Sequence, residues 1–175
     1  MGLRKAGSYS KHHARPYTRK SAVRSKAFVK TVPAPKIVKF NMGDQKGFNE
    51  GKYKIILRLI TPVNIQIRDN ALEAVRQLLL KQLDTKLTGQ FYTMIKAHPH
   101  HILRENRVLT GAGADRMQAG MALSFGTALA RAAMLKAGQD IIVLYVANEK
   151  GERIGRQILH SLRSKLPCPM KIVSG

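Results

Sequence analysis

A short apolar run, DIIVLYVA at Asp140–Ala147, constrains the fold of this chain more than any other stretch of its sequence. A membrane-spanning helix needs about 20 apolar residues, so a run this short predicts a buried strand. The apolar positions that follow at four-residue intervals are Ile154, Ile158, Leu162 and Leu166. This interval predicts an amphipathic helix that Pro167 limits, and Lys171–Ser174 is then expected to close the sheet.

The middle of the chain carries a second pair of strand and helix patterns. Tyr53–Ile60 and Val63–Ile67 are rich in branched apolar residues and predict strands. Asn70 and Glu73 have the spacing of a capping box, in which the first side chain caps a helix and the second bonds back to it. An apolar stripe at helical spacing follows, and the helix is expected to stop near Gly89.

The remaining segments give weaker patterns. Lys36–Phe40 and Phe91–Ala97 predict strands, and the glycine-rich stretch 42–52 predicts a turn region. A further helix is expected to open near Asp115, whereas Ala128–Leu135 is only weakly patterned. The order of elements predicts an α+β sandwich, with helices on one face of a mainly antiparallel sheet.

Charge is distributed very unevenly along the chain. Its 175 residues hold 31 Lys and Arg against 10 Asp and Glu, a formal net charge of +21. Residues 1–43 contain 11 of the cations and none of the acids. A surface this positive has to be neutralised by a polyanion, which could be nucleic acid, an anionic membrane or an acidic protein.

A membrane partner is the least supported of these three. The N-terminus lacks the apolar core of a secretory signal, and Ala6 stands where a myristoylation motif requires Ser or Thr. The single cysteine, Cys168, cannot form an intrachain disulfide, which favours a reducing, intracellular compartment and a buried structural thiol.

Residues 1–35 are predicted to be an extended basic segment that binds RNA. Rings stand between its cations, and it has too few apolar residues to fold alone. Arginine forks and stacking rings suit phosphates and unpaired bases, although a disordered solubilising tail is the alternative. The candidate RNA-binding residues are Arg4, Lys5, Lys11, His12, Arg15, Tyr17, Arg19, Lys20, Arg24, Lys26 and Lys30.

A second candidate RNA-binding region is the basic, glycine-bearing loop at residues 98–121, HPHHILRENRVLTGAGADRMQAGM, inside the predicted 36–175 domain. Long loops of this kind commonly carry function, because arginines and backbone amides there can reach phosphates. A flexible connector is the alternative. The histidines His98, His100 and His101 are expected to contact RNA, because their spacing does not match that of zinc ligands.

Motifs for catalysis are weak throughout the sequence. TGAGAD resembles a dinucleotide fingerprint, but Arg116 occupies the third glycine position and the preceding ILRENRVL is too polar to predict a strand. The only close pair of carboxylates, Glu149 and Glu152, lies at the expected start of the last helix, where negative charge interacts favourably with the helix dipole. The chain is therefore expected to be no enzyme and to bind no cofactor or metal.

The loop sequence also resembles a known signature. It is similar to that of the ribosomal protein family called ten-e in archaea and eukaryotes, whose bacterial counterpart is large-subunit protein sixteen. Four further segments resemble the family in the expected order: RPYTRK at 15–20, PAPKIVKFNMG at 33–43, ALEAVR at 71–76 and LHSLRSKLPCPMKIV at 159–173. The segment 125–139 departs from the family pattern, because it lacks a Lys-Pro pair and has Arg131 as its only arginine.

The resemblance implies more than the composition does. It implies a two-layer, hammerhead-like α/β sandwich that binds large-subunit rRNA near the central protuberance and the 5S rRNA. It also implies neighbouring large-subunit proteins as partners and a cytoplasmic, ribosomal location for a chain that is not a homo-oligomer. The end of the sequence soon after the last expected strand suits an archaeal member of the family. A ribosome assembly factor of the same fold, which binds RNA without staying in the subunit, is the alternative.

The same resemblance implies that an internal loop, at about 103–117, points toward tRNA in the A and P sites and toward the peptidyl transferase centre. The residues of this chain that match it are Arg104, Arg107, Gly111, Gly113, Asp115, Arg116 and Gln118.

Overall fold

The computed structural model describes residues 5–11, 23–27, 29–106 and 125–175. In these residues all strands pair antiparallel and form two sheets. The five-stranded sheet has the order β1-β4-β7-β2-β8. Its strands are β1 (Asn41–Gly43), β2 (Ile55–Ile60), β4 (Phe91–Ile95), β7 (Asp140–Val146) and β8 (Lys171–Ser174). The three-stranded sheet has the order β3-β6-β5, with β3 (Ile65–Arg68), β5 (His101–Glu105) and β6 (Thr127–Leu135).

Helices α1 (Gln45–Asn49), α2 (Asp69–Lys86) and α3 (Glu149–Ser161) complete the described fold, with short 3-10 turns at Arg24–Lys26 and Leu162–Lys165. Helix α3 packs on β2, β7 and β8, while α2 contacts α3 as well as β3 and β6. Helix α2 therefore joins the two sheets into one core. The α+β sandwich predicted from the sequence is confirmed, although its strands divide into two sheets.

The core forms from the apolar stripes that the sequence shows. Leu72, Val75, Leu79 and Leu83 of α2 are all 0% exposed, and each such side chain contributes about 1.5–3 kcal/mol by leaving water. Gly155 lets α3 approach the sheet closely, because a Cβ there would lie 2.9 Å from Leu57 Cδ1. On the opposite face of this sheet, the short α1 stacks Phe48 against Tyr92 at 4.3 Å.

Several predicted elements are confirmed. The strands expected at 53–60, 91–97, 140–147 and 171–174 are present as β2, β4, β7 and β8, with shorter or equal bounds. The last helix is present as α3, and Leu162 and Leu166 at its end are buried. Helix α2 ends at Lys86, three residues before Gly89, which has a positive φ of 66°.

The predicted strand at Lys36–Phe40 is wrong. Its backbone N–H groups bond to side chains of α2, since Lys36 N donates to Asp69 Oδ2 at 3.1 Å and Val38 N donates to Glu73 Oε2 at 3.4 Å. The stretch predicted as a turn region instead contains β1 and α1, and Asp44 caps α1 by accepting from Gly47 N.

The predicted capping box is also wrong. Arg68 is the N-cap residue of α2 and Asp69 its first residue, because β3 runs directly into the helix. Glu73 therefore accepts hydrogen bonds from Arg76 and Gln77 instead of closing a box with Asn70.

The two segments that flank the loop are strands. Ala128–Leu135 belongs to β6, and the polar ILRE stretch belongs to β5, which was not expected to be a strand. Strand β5 nevertheless pairs antiparallel with β6, unlike the parallel first strand of a dinucleotide-binding unit. The helix expected near Asp115 lies outside the described residues.

Candidate nucleic-acid interface

Several acidic side chains of the described residues face inward and hold the fold together. Asp69 is fully buried and accepts the backbone N–H of Lys36. Asp44 accepts from Gly47 N and from the Tyr53 hydroxyl, both at 3.0 Å. These carboxylates are engaged in hydrogen bonds within the fold.

Hydrogen bonds shift the pKa of Glu73 and of Asp44 in the direction that favours this arrangement. Bonds from Arg76 lower the pKa of Glu73 below its usual value, and the Gly47 N–H, then the Tyr53 hydroxyl, lower that of Asp44. Burial, with the Asp44 bond second, raises the pKa of Tyr53 to about 12. Both carboxylates therefore stay ionised while bound to internal donors.

The cations lie mainly on the outside of the described residues. Exposed cations occur on the five-stranded sheet, on all three helices, on the connecting segments and on the described N-terminal residues. The exposed ones are Lys5, Lys11, Lys26, Lys30, Lys36, Lys39, Lys46, Lys52, Lys54, Arg58, Lys81, Lys86, Lys96, Lys136, Lys150, Arg153, Arg163, Lys165 and Lys171. With several acids turned inward, this surface is suited to a polyanion.

The segment before β5 carries a row of basic side chains on one side. Lys96, His98 and His100 are exposed, while the intervening Ala97 and Pro99 are buried. Alternate residues of an extended chain point the same way, so the three side chains share one face, roughly 7 Å apart. This spacing lets one extended segment meet successive phosphates of an RNA strand.

Both exposed histidines of this row are held in place. The His98 ring stacks on Phe40 with ring centroids 4.2 Å apart. His100 donates from Nδ1 to the carbonyl of His98 at 2.8 Å, which leaves its Nε2 directed away from that bond. His101, in contrast, is only 2% exposed, so the predicted RNA contact of this side chain is not retained.

The base of the internal loop is formed by the facing ends of β5 and β6. Arg104 donates from Nη1 to the carbonyl of Phe125 at 2.6 Å, and its guanidinium lies 3.8 Å from the centre of the Phe125 ring. Gly126 has a φ of 75°, and its backbone rests on the Glu105–Asn106 peptide. Arg104 thus joins the two strand ends instead of projecting freely, and Phe125 remains 47% exposed beside it.

The N-terminal segment contacts the three-stranded sheet at two places. Arg68 Nη2 donates to the Lys5 carbonyl at 2.7 Å, and Gln66 N donates to the Ser10 carbonyl at 3.0 Å. Farther along, Arg131 Nε donates to the Pro33 carbonyl at 2.6 Å. Lys5 and Lys11 remain exposed, as do Lys26 and Lys30.

The remaining predicted site residues are Arg24 and twelve residues outside the described part of the chain. Arg24 lies in the 3-10 turn at Arg24–Lys26. The predicted residues that lie outside the described part of the chain are Arg4, His12, Arg15, Tyr17, Arg19, Lys20, Arg107, Gly111, Gly113, Asp115, Arg116 and Gln118.

Some residues of this surface were missed in the sequence. Lys96 could have been found, because it shares the alternation around Pro99 with the two exposed histidines. Nothing in the sequence around Phe125 indicates that it stacks on Arg104, 21 residues away. The predicted strand at Val63–Ile67 includes Gln66 and stops before Arg68, and the sequence does not indicate the bonds of either side chain, because their partners lie 57 and 63 residues away.

Two features of the described residues bear on other functions. None of the described helices is long and apolar enough to cross a membrane. Among the same residues no group of three or more His, Cys, Asp and Glu side chains could hold a metal ion. Cys168 is buried, as predicted, and burial raises the pKa of its thiol.

Comparison with known proteins identifies the family. The model of "Ribosomal protein L16p/L10e" matches residues 13–173. The chain belongs to the ribosomal protein L16p/L10e family. The family resemblance of the loop signature is thereby confirmed, and so is the prediction that the chain is no enzyme, since this family consists of structural ribosomal proteins.

Archaeal relatives extend this match over nearly the whole chain. The chain is similar to "Large ribosomal subunit protein uL16" of Thermofilum pendens, with 39% identity over 99% of this chain and 97% of the relative. The proteins of the same name in Saccharolobus solfataricus and Pyrobaculum neutrophilum are 41% and 38% identical, covering 98% and 99% of this chain and 92% of each relative.

Proposed function

We propose that this chain is a structural constituent of the large ribosomal subunit that binds large-subunit rRNA and neighbouring ribosomal proteins in the cytoplasm. The match to L16p/L10e proteins along almost the entire chain carries this proposal. The charge arrangement supports it independently, because Asp44, Asp69 and Glu73 bond internally while the exposed surface is rich in lysine and arginine.

The mechanism that the surface supports is charge neutralisation combined with shape. Each lysine or arginine that meets a phosphate releases condensed counterions, and this release drives association. Phosphate contacts position a protein on RNA without specifying sequence, so the shaped segments supply the fit. The row formed by Lys96, His98 and His100 is one such segment, and the N-terminal segment is another.

A finer location is proposed for two parts of the chain. The contacts lie near the central protuberance and the 5S rRNA, and the loop at 103–117 faces tRNA in the A and P sites and the peptidyl transferase centre. The base of the loop supports this role, because the Arg104–Phe125 contact gives the loop a defined starting geometry. Arg104 then acts mainly at the base of the loop, and Arg107, Arg116 and Gln118 are the residues proposed to make contacts at the tRNA sites.

Sedimentation separates a resident protein from an assembly factor. Tagged full-length chain is expressed in an archaeal host and its ribosomal subunits are separated on gradients at low and high salt. A resident protein stays with the large subunit at nearly one copy per particle after the high-salt wash. Recovery only in precursor particles would identify an assembly factor, and absence from all particles would contradict both.

A salt titration tests which surface binds the RNA. Alanine replaces four cations of the N-terminal segment, and affinity for a large-subunit rRNA transcript is measured across a range of salt. Each lost phosphate contact reduces the log–log slope by roughly 0.7 to 0.9. The four positions are Arg15, Arg19, Lys20 and Arg24.

A matched variant controls for net charge. It removes four cations from the α1 and β2 region, so both variants carry the same total charge. An equal change of slope in the two variants would show that the N-terminal segment has no special role. The control positions are Lys46, Lys52, Lys54 and Arg58.

A further inference from the structure

Strand β1 forms one edge of the five-stranded sheet, where in the described part of the chain it pairs only with β4. The carbonyl of Phe40 accepts a hydrogen bond from β4 at 2.8 Å, and Asp44 N donates to a β4 carbonyl at 3.0 Å. A trans peptide directs its N–H and its C=O to opposite sides. The N–H of Asn41 and the carbonyl of Gly43 share peptides with these two bonded groups, so both point away from β4.

The residue between them completes an open edge. Met42 is paired with Thr93, which directs its own N–H and C=O toward β4. The Asn41 carbonyl and the Gly43 N–H therefore point outward as well. The edge thus presents two N–H groups and two carbonyls in alternation, on two residues that are exposed. None of the described residues forms a hydrogen bond with these four groups.

A groove of about 490 Å³ lies between this edge and helix α2. The side chain of Val38 at the groove is 72% exposed. Arg76 is already paired with Glu73 at 2.6 Å, whereas Lys39 is exposed. The residues that line the groove are Val38, Lys39, Asn41, Met42, Gly43, Arg76 and Leu80.

This arrangement suits an extended peptide better than it suits RNA. Alternating donors and acceptors match the backbone of another strand, which can add to a sheet edge through main-chain hydrogen bonds. A phosphate would meet the two outward carbonyls as well as the N–H groups, and carbonyl oxygens repel an anion. The apolar side chains Val38, Met42 and Leu80 favour a partner with an apolar residue, and Lys39 favours one with an acidic residue.

We propose that the open edge of β1 and the groove beside it bind an extended segment of a neighbouring ribosomal protein. This segment adds a further strand to the sheet and places an acidic side chain near Lys39. The inference rests on the proposed place of the chain in the large subunit. Because a strand rises about 3.3 Å per residue, the three residues of β1 meet about three residues of the partner.

Photocrosslinking in the assembled subunit tests which molecule occupies the groove. A benzophenone amino acid replaces Val38 in the full chain, which is expressed in an archaeal host and recovered in salt-washed large subunits. The matched control carries the same amino acid at Val63, which is also exposed but does not line the groove. The crosslinked products are identified by mass spectrometry.

We expect the probe at position 38, and not the probe at position 63, to crosslink to one peptide of another protein that contains an acidic and an apolar residue. A crosslink from position 38 only to RNA would show that the groove is an RNA contact and would overturn the proposal. A crosslink only to a second copy of this chain, or no crosslink at all, would also overturn it.

A titration with the crosslinked peptide, made synthetically, tests the pairing itself. Asn41→Pro removes one outward N–H and leaves the bonds to β4, so affinity for the full chain should fall about fivefold, the usual effect of one hydrogen bond. Lys39→Glu should weaken binding more than Lys36→Glu, which makes the same change of charge outside the groove.

Unchanged affinity in a folded Asn41→Pro chain would contradict the strand pairing. If circular dichroism shows that this variant does not fold, the two lysine variants decide, and equal affinities for them would overturn the proposal.

The failure of this inference can be told apart from the failure of the proposed function. A chain that stays with washed subunits while position 38 reaches no other protein retains the function and loses the inference. A chain that is absent from the subunits contradicts the proposed function, and the inference falls with it.

Discussion

Gly126 offers the sharpest test of how the loop base is built. Its φ is 75°, which strains any residue with a side chain, and an added Cβ would lie 2.7 Å from the Glu105 carbonyl carbon and 2.9 Å from Asn106 N. Both contacts are to backbone, so they cannot be relieved by a change of rotamer. Gly126→Ala therefore combines two effects, backbone strain and overlap with the neighbouring strand.

Gly138 separates these two effects. Its φ is 83°, similar to that of Gly126, but nothing lies within 4 Å of an added Cβ. Gly138→Ala should lose about 1–2 kcal/mol through the left-handed conformation, offset by about 0.4–1 kcal/mol because alanine restricts the unfolded chain. Gly126→Ala should lose about 1–3 kcal/mol more than this, the usual range for overpacking.

Urea denaturation measures the difference. With a slope of about 2 kcal/mol per molar, an extra loss of about 2 kcal/mol lowers the midpoint of Gly126→Ala by about 1 M below that of Gly138→Ala. Equal midpoints for the two variants would refute the close approach of Gly126 to the β5 end, and with it the described geometry of the loop base.

Two further predictions concern stability. Gly155→Ala should destabilise the protein by about 1–3 kcal/mol, because the added Cβ would lie 2.9–3.0 Å from side-chain atoms of Leu57 and Leu144. In Gly151→Ala the nearest contact of the added Cβ is 3.3 Å, so this variant should be neutral or slightly stabilising. Thermal denaturation of the two variants measures the difference. Because folding lowers the pKa of Glu73, its ionised carboxylate stabilises the folded state. This stabilisation is complete above about pH 4.5 and is lost as the pH falls through the pKa of the folded protein. Glu73→Gln should therefore make the free energy of unfolding depend less on pH in the acid range. Equal melting temperatures for the two glycine variants, or the same acid pH dependence of stability in Glu73→Gln as in the unsubstituted chain, would contradict these expectations.

The sequence predicts well those elements whose pattern follows from burial. Strand β7 and helix α3 are visible because nearly every inward position is apolar and the helical stripe repeats regularly. Helix α2 is visible for the same reason. Its start was misplaced because Asn70 and Glu73 have the spacing of a cap, although the carboxylate of Glu73 is held by Arg76 and by the backbone of Val38.

Elements that depend on distant partners are poorly predicted. Four of the nine residues of strand β6 are alanines, which have little strand preference, and the strand is stabilised by pairing with β3 and β5 on both sides. The polar β5 is supported by the same pairing. Strand β1 has only three residues, and its register with β4 is set by tertiary contacts.

The candidate interface divides in a similar way. Its charge can be counted in the sequence, and the family resemblance predicts that the loop at 98–121 takes part in binding. The burial of His101, the stacking of Arg104 on Phe125 and the hydrogen bonds to residues 5–10 come from contacts between distant segments. Sequence spacing alone does not contain that information.

A map of the chain within an intact large ribosomal subunit tests the central claim most directly. Electron cryomicroscopy of salt-washed subunits should show one copy, with the N-terminal segment and the Lys96–His98–His100 row against rRNA and the loop at 103–117 directed toward the tRNA sites. Subunits without the chain, or a bound chain whose basic segments face solvent, would contradict the claim.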